Sequence, residues 1–244
     1  MTQVWGHRGA RREAPENTVS SFRRALELGV DGVEFDVQLT ADGELVVIHD
    51  ETVERTTSGN GHVNSFSLAQ LQRLDASAGI EGFAGVPIPT LAEVLDVVAP
   101  SGVLLNIELK NSVEEYPGLE EKVLAAVAAY GIADRVVLSS FNHYSLKHLL
   151  DLGTTCEVAM LYTDPLYRPW RYAEDLGVAA IHPPARYVVR ERTVKKVHKH
   201  GMAIRPWVVN SEYRLSQMFR WGVDAVFTDV PDVALRLRDA GSLA

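Results

Sequence analysis

The stretch VWGHRGARREAPENT, residues 4–18, ends a short apolar run in Gly-His-Arg-Gly and then sets four charges and a proline ahead of a helix start. A connecting loop needs none of that chemistry. His7 is a proton carrier that titrates near working pH, and the Arg8 guanidinium suits a phosphate oxygen. The next apolar run, GVEFDVQ, carries Glu34 and Asp36 two residues apart. On a strand they share a face, with Val33, Phe35 and Val37 on the other. NIELK repeats the design, with Glu108 and Lys110 on one face and Ile107 and Leu109 on the other. Three carboxylates brought together repel one another unless a cation lies between them. An all-oxygen set of this kind suits one hard divalent cation, Mg²⁺ or Ca²⁺. The alternative is a salt-bridge network in which Arg8 and Lys110 neutralise the acids. His49, followed by Asp50, supplies a second proton carrier.

These residues can meet only if the chain stacks its strands side by side. Short β-rich runs (VWG, GVEFDVQ, LVVIH, VLLNIELK, RVVLSS, CEVAMLY, VAAIHP, MAIRPWVV, DAVFTD) alternate with helical patterns at 17–28, 90–99, 119–130, 143–152, 169–176, 190–200, 211–221 and 231–239. Apolar residues in the latter recur at helical spacing, as Val123, Ala126, Val127 and Tyr130 do. Alternation with short connections implies a parallel sheet. With LVVIH taken as an extension after the second strand, eight βα units remain, which predicts a (β/α)8 TIM barrel. A doubly wound sheet is the rival, but no Gly-rich nucleotide fingerprint follows the first strand. Residues 51–88, rich in Gly, Ser and Thr with a weak helix at 67–74, read as a small insertion after the second strand within one domain, 1–244. They are expected to cover the barrel mouth and help shape one side of it.

In such barrels chemistry gathers at the C-terminal ends of the strands. Those ends carry His7, Glu34 and Asp36, His49 and Asp50, Glu108 and Lys110, Ser139, His182, Trp207 with Asn210, and Asp229. The chain has 24 Lys+Arg against 32 Asp+Glu, a net charge of −8. That argues against nonspecific nucleic-acid binding, although a local basic cluster can still reverse the sign in one pocket. A single cysteine, Cys156, excludes an internal disulfide and a cysteine-built zinc site. No apolar run is long enough to span a bilayer, so no stable membrane insertion is expected. With no signal-peptide pattern, the expected compartment is cytoplasmic. The pattern does not specify an oligomeric state.

The ordered blocks His7-Arg8-Gly9, PENT, EFDVQLTADGELVVIHD, RTT, IPTL, IELK, SSF, PWVVN and DAVFTDVPD resemble the glycerophosphodiester phosphodiesterase family, from residue 4 to about residue 235. The resemblance implies a (β/α)8 barrel with a small insertion after the second strand. It also implies metal-dependent hydrolysis of glycerophosphodiesters to sn-glycerol 3-phosphate and an alcohol. Glu34, Asp36 and Glu108 would be metal ligands, His7 and His49 the general acid–base pair, and Arg8 and Lys110 phosphate contacts. The nucleophile it suggests is the substrate's own 2-hydroxyl, giving a cyclic phosphate. Asp50 and Glu16 are placed as supporting residues; Glu16 either holds His7 or caps the helix beginning near Asn17.

Three other readings stay open. A lysophospholipase D-like or sphingomyelinase D-like enzyme would need an apolar groove, for which LYTDPLYRPW (161–170) offers aromatics, and a choline headgroup would fit against Phe141 or Trp207. A non-catalytic glycerol-phosphate-binding barrel would not need both histidines and all three carboxylates. A metal-dependent sugar isomerase would not need the His-Arg-Gly clamp.

Overall fold

The computed structural model describes residues 1–188 and 190–241. Along the chain the elements are β1 (Gln3–His7), α1 (Val19–Leu28), β2 (Gly32–Leu39), β3 (Leu45–Val47), α2 (Leu68–Leu71), α3 (Leu91–Val98), β4 (Leu104–Leu109) and α4 (Leu119–Tyr130). There follow β5 (Val136–Ser140), α5 (His143–Asp151), β6 (Glu157–Leu161), α6 (Pro169–Leu176), β7 (Ala180–His182) and α7 (Ala185–Val188). The last are α8 (Glu191–Lys199), β8 (Ala203–Ile204), α9 (Glu212–Trp221), β9 (Ala225–Thr228) and α10 (Pro231–Gly241).

Parallel pairing runs β8–β7–β6–β5–β4–β2–β1–β9, and β3 folds back antiparallel on β2. The remaining seam is bridged by backbone bonds. Asp224 N–H donates to Ile204 O (3.0 Å), Phe227 N–H to Pro206 O (3.1 Å) and Val209 N–H to Phe227 O (2.9 Å). Eight parallel strands thus make a nearly closed (β/α)8 barrel, as the alternation predicts. The run 202–209 is strand only at Ala203–Ile204. Pro206, which has no N–H to give a ladder, interrupts it.

Local chemistry sets the helix ends. The Thr18 hydroxyl accepts from Ser21 N–H, and Thr90 and Glu93 form a reciprocal capping box. Glycines in the left-handed conformation close α1, α4, α6 and α9. Hydrophobic burial occurs in two shells. Outward-facing Val33, Phe35, Val37, Ile107 and Leu109 pack under the helices, with Phe35 edge-on to Phe22 of α1 at 5.5 Å. Inside the barrel, Trp5 and Phe227 meet edge to face at 5.4 Å, and Ala159, Ala180 and Ala225 leave them room. This inner plug is the floor on which the polar residues stand.

Segment 51–88 has a small apolar cluster of its own, in which Val53, Val63, Leu71, Ala76 and Ile88 pack with Val46 and Ile48. Among the described residues no helix is long and apolar enough to cross a membrane.

Candidate active site

Strand register does most of the assembly. His7 is paired with Glu34 across β1 and β2, Glu34 with Asn106 and Asp36 with Glu108 across β2 and β4. Residues two apart on one strand therefore meet residues two apart on the next, all on the inner face. Glu34, Asp36 and Glu108 are buried, and each offers an oxygen within 4.8 Å of the others.

The Gly-His-Arg-Gly turn explains how consecutive residues reach one cavity. Arg8 takes φ +56°, a left-handed conformation uncommon for a side chain-bearing residue, so the chain turns at once after β1. Its N–H donates to Glu34 Oε2 at 2.9 Å. Glycine is required on both sides. A Cβ on Gly6 would sit 2.8 Å from Gly9 O, and one on Gly9 would sit 2.4 Å from Ser21 Oγ. Asn17, also at positive φ, donates from Nδ2 to Asp36 Oδ2 at 2.8 Å.

Both histidines are held at Nδ1 by a carboxylate. His7 Nδ1 lies 2.7 Å from Asp229 Oδ1, and His49 Nδ1 lies 2.5 Å from Asp50 Oδ1. The other ring nitrogen points to the acidic group. His7 Nε2 is 4.0 Å from Glu34 Oε2, and His49 Nε2 is 3.4 Å from Lys110 Nζ, which itself donates to Glu108 Oε1 at 3.0 Å. Asp229 is in turn fixed by Asn210 Nδ2 at 2.7 Å. Arg55, from segment 51–88, chelates both Asp50 (2.5 and 3.0 Å) and Glu16 (3.0 and 2.8 Å).

The cavity enclosed is about 160 Å³ and is lined by His7, Arg8, Glu34, His49, Glu108 and Asn106 on the polar side. Phe141, Leu161, Trp207 and Phe227 form the apolar side, with His182 between. Phe141 and Trp207 stand edge to face at 5.5 Å. One polar and one apolar wall suit a ligand with a charged group at one end and carbon at the other.

The two available cations do not satisfy the carboxylates. Burial, then Asp36 and Glu108, push Glu34 well above the usual carboxylate range. Burial also raises Glu108, against the pull of Lys110. Asp36 is held low although burial opposes it, because His49, Arg8 and Lys110 face it. Its Oδ1 nonetheless has no hydrogen-bond partner among the described residues. Arg8 is shared, with Nη1 2.7 Å from Glu16 and Nε 3.4 Å from Asp36. A buried orphan oxygen beside a destabilised carboxylate is what a divalent cation would relieve. The oxygen-only set fits one.

Nine of the eleven sequence-assigned residues meet at or beside this cavity: His7, His49, Arg8, Lys110, Phe141, Trp207, Glu34, Asp36 and Glu108. Asp50 lies against His49 Nδ1. Glu16 does neither thing expected of it. It accepts from Arg8, Arg11 (3.1 Å) and Arg55, while Asp229 holds His7 and Thr18 caps α1. Clustered guanidinium groups hold Glu16 at about 2 even though burial opposes it. Segment 51–88 contributes no residue to the central cavity lining; its contact with the site is Arg55. Asn17, Asn106, Arg55 and the role of Asp229 were missed. Each needs the closed barrel or the turn geometry to be seen.

Asp229 has the clearest expected effect among these. It is held at about 2: burial opposes the shift, but the bond to His7 outweighs it. Asp229→Asn keeps the shape but can donate to Nδ1, which favours the wrong imidazole tautomer. We expect kcat to fall by about 10²–10⁴-fold with KM little changed, as measured by steady-state kinetics.

Residues 7–233 match the glycerophosphoryl diester phosphodiesterase family. The chain belongs to that family. A glycerophosphodiester phosphodiesterase of Caldanaerobacter subterraneus subsp. tengcongensis is 43% identical over 237 residues, spanning 97% of each chain. One from Bacillus altitudinis is 43% identical over 242 residues, 98% of this chain and 99% of the other. Among solved structures, an Oleispira antarctica phosphodiesterase in complex with the product sn-glycerol-3-phosphate superposes with a TM-score of 0.87 at 30% identity. The match covers 98% of this chain and 97% of that one.

Proposed function

We propose that this glycerophosphodiester phosphodiesterase cleaves its substrate to sn-glycerol 3-phosphate and an alcohol, with His7 and His49 dividing the proton transfers. The observation that carries the reading is the pair of histidines, each fixed at Nδ1 by its own carboxylate, facing one buried group of three acids. Fixing Nδ1 leaves Nε2 to give or take a proton at the substrate. The Oleispira antarctica relative, with sn-glycerol-3-phosphate bound, supports the product assignment.

Glu34, Asp36 and Glu108 would hold one divalent cation, Mg²⁺ or Ca²⁺. When bound it would neutralise phosphate charge and stabilise charge developing at phosphorus. Arg8 and Lys110 border the same wall and add positive charge toward the phosphate oxygens. Phe141, Leu161 and Trp207 face the carbon part of the ligand and keep water from it. One histidine takes the proton from the substrate's 2-hydroxyl as its oxygen bonds to phosphorus. The other gives its proton to the departing alkoxide as that P–O bond breaks. Water then opens the resulting cyclic phosphate with the two roles reversed.

Turnover of glycerophosphocholine with and without EDTA tests the reading. We expect activity that EDTA abolishes and Mg²⁺ or Ca²⁺ restores. Tight binding of glycerol phosphate with no turnover under any metal would instead identify a binding barrel.

A further inference from the structure

We propose that the groove between α6 and α8, together with the loop that leads into α6, is a docking surface for an anionic phospholipid bilayer. The chain as a whole is acidic, at −8. Yet a cavity of about 640 Å³ on this side is lined by Arg168, Arg171, Arg190, Arg192, Lys196 and His200, and by no acid. His200 is engaged by Glu174 at 2.6 Å. Among the described residues, the five lysines and arginines of that lining make no ion pair, and all five are exposed. Surface cations in an acidic protein ordinarily sit among carboxylates, so a cluster without them leaves an uncompensated field.

The helix α8 supplies the stripe. Val194 and Val197 are buried against the barrel, while Arg192, Lys196 and Lys199 are exposed on the opposite side, beside Lys195, which pairs with Glu191 at 2.5 Å. The first turn of α8 adds its helix-dipole charge at Arg190 and Arg192. A cationic face of this kind on an amphipathic helix is the pattern that meets anionic headgroups.

Beside it, the α6 loop provides an apolar edge. Tyr167 is 86% exposed and Leu166 37%, while Trp170 is half-buried against the core. The Arg168 guanidinium lies over the Tyr167 ring at 4.9 Å. Tyrosine and tryptophan beside lysine and arginine suit the interfacial layer of a bilayer, where one end of the ring is wet and the other is not. An exposed leucine with them favours lipid over a nucleic acid, whose backbone would use the charge but not the aliphatic edge.

The location adds a third argument. Leu161 ends β6 in the catalytic cavity, and the same strand continues into the loop bearing Leu166 and Tyr167. A bilayer held there lies beside the end of the barrel where the cavity is built. The acidic remainder of the protein would be repelled from the same surface, which fixes the orientation. Nothing in this inference depends on which substrate the catalytic cavity takes.

Sedimentation with vesicles tests it, using phosphatidylcholine alone against phosphatidylcholine mixed with phosphatidylglycerol. The intact protein should partition to the mixed vesicles, not to the neutral ones, and less as salt is raised. Each surface cation contributes about fivefold, so Arg192→Gln with Lys196→Gln should weaken partitioning roughly 30-fold. Leu166→Ser with Tyr167→Ser should weaken it while leaving its salt dependence. Both double variants should hydrolyse soluble glycerophosphocholine like the parent, which shows that they fold and separates this test from that of the catalytic reading. Equal partitioning to neutral and mixed vesicles would overturn the proposal. So would unchanged binding by the Arg192/Lys196 variant, or tighter binding to an oligonucleotide than to the mixed vesicles.

Discussion

Alanine at Glu34, Asp36 or Glu108 is expected to lower turnover by about a thousandfold, because the cation they would hold supplies several kcal/mol of charge stabilisation at phosphorus. Calorimetric titration should show weakened Mg²⁺ or Ca²⁺ binding in each variant. Undiminished binding in all three would remove the cluster from consideration as the cation site. The fold should survive these changes, and Glu34→Gln gives the sharper reading of why. Glu34 is raised well above its ordinary value, by burial first and then by Asp36 and Glu108. A carboxyl whose folded value is raised binds its proton more tightly when folded. It therefore costs stability progressively as pH climbs from its unfolded value, roughly 4.3, through its folded one. At neutral pH in chelator, Glu34→Gln should then melt at a higher temperature than the parent, and the advantage should vanish in acid.

The difference between the two proteins matters more than either curve. Burial lowers His7 and His182, which works in the opposite direction because buried neutral histidines lose stability as pH falls through their unfolded values. Asp36, held low despite its burial, loses its contribution only at still lower pH. Subtracting the variant from the parent isolates Glu34. Saturating Mg²⁺ or Ca²⁺ should reverse the sign, leaving the parent the more stable, since a ligand that binds only the folded state stabilises it. If the two proteins melt alike in chelator at neutral pH, repulsion within the cluster is not what the cation relieves.

The parts of this site that a reader of the sequence can find are those fixed within one strand. Glu34 and Asp36 share a face because strand side chains alternate, and Glu108 follows by the same rule on β4, the strand beside β2 in space. The barrel itself is legible because short β-rich runs alternate with helical patterns along the chain. What the sequence hides depends on closure and on turns. Asp229 reaches His7 only because β9 pairs with β1, joining the two ends of the chain. Asn17 reaches Asp36 through a left-handed turn. Glu16 lies close enough along the chain to suggest His7, but three arginines compete for it, and two of them could be placed only after the loops had been folded. Arg55 sits in a polar segment with no periodicity to mark it.

His7→Ala and His49→Ala should each lose about 10²–10⁴-fold in turnover of glycerophosphocholine, the usual effect of losing a general acid or base. They should not lose equally on every substrate. Choline leaves as an alkoxide that needs a proton, whereas p-nitrophenolate is stable as it departs. The variant that lacks the acid should therefore recover much of its rate on glycerol phosphate esterified with p-nitrophenol. The variant that lacks the base should not, since its 2-hydroxyl stays protonated on either substrate. The geometry makes this comparison clean, because each ring has its own carboxylate, Asp229 for His7 and Asp50 for His49, so neither variant strips the other histidine of its partner. His49 does share a neighbour with the acidic cluster, its Nε2 lying 3.4 Å from Lys110. His49→Gln, which retains a polar group near Lys110, controls for that contact. Recovery by one variant alone assigns acid and base together. Equal defects on both esters would mean that the histidines do not divide the proton transfers, and the mechanism proposed for this site would have to be abandoned.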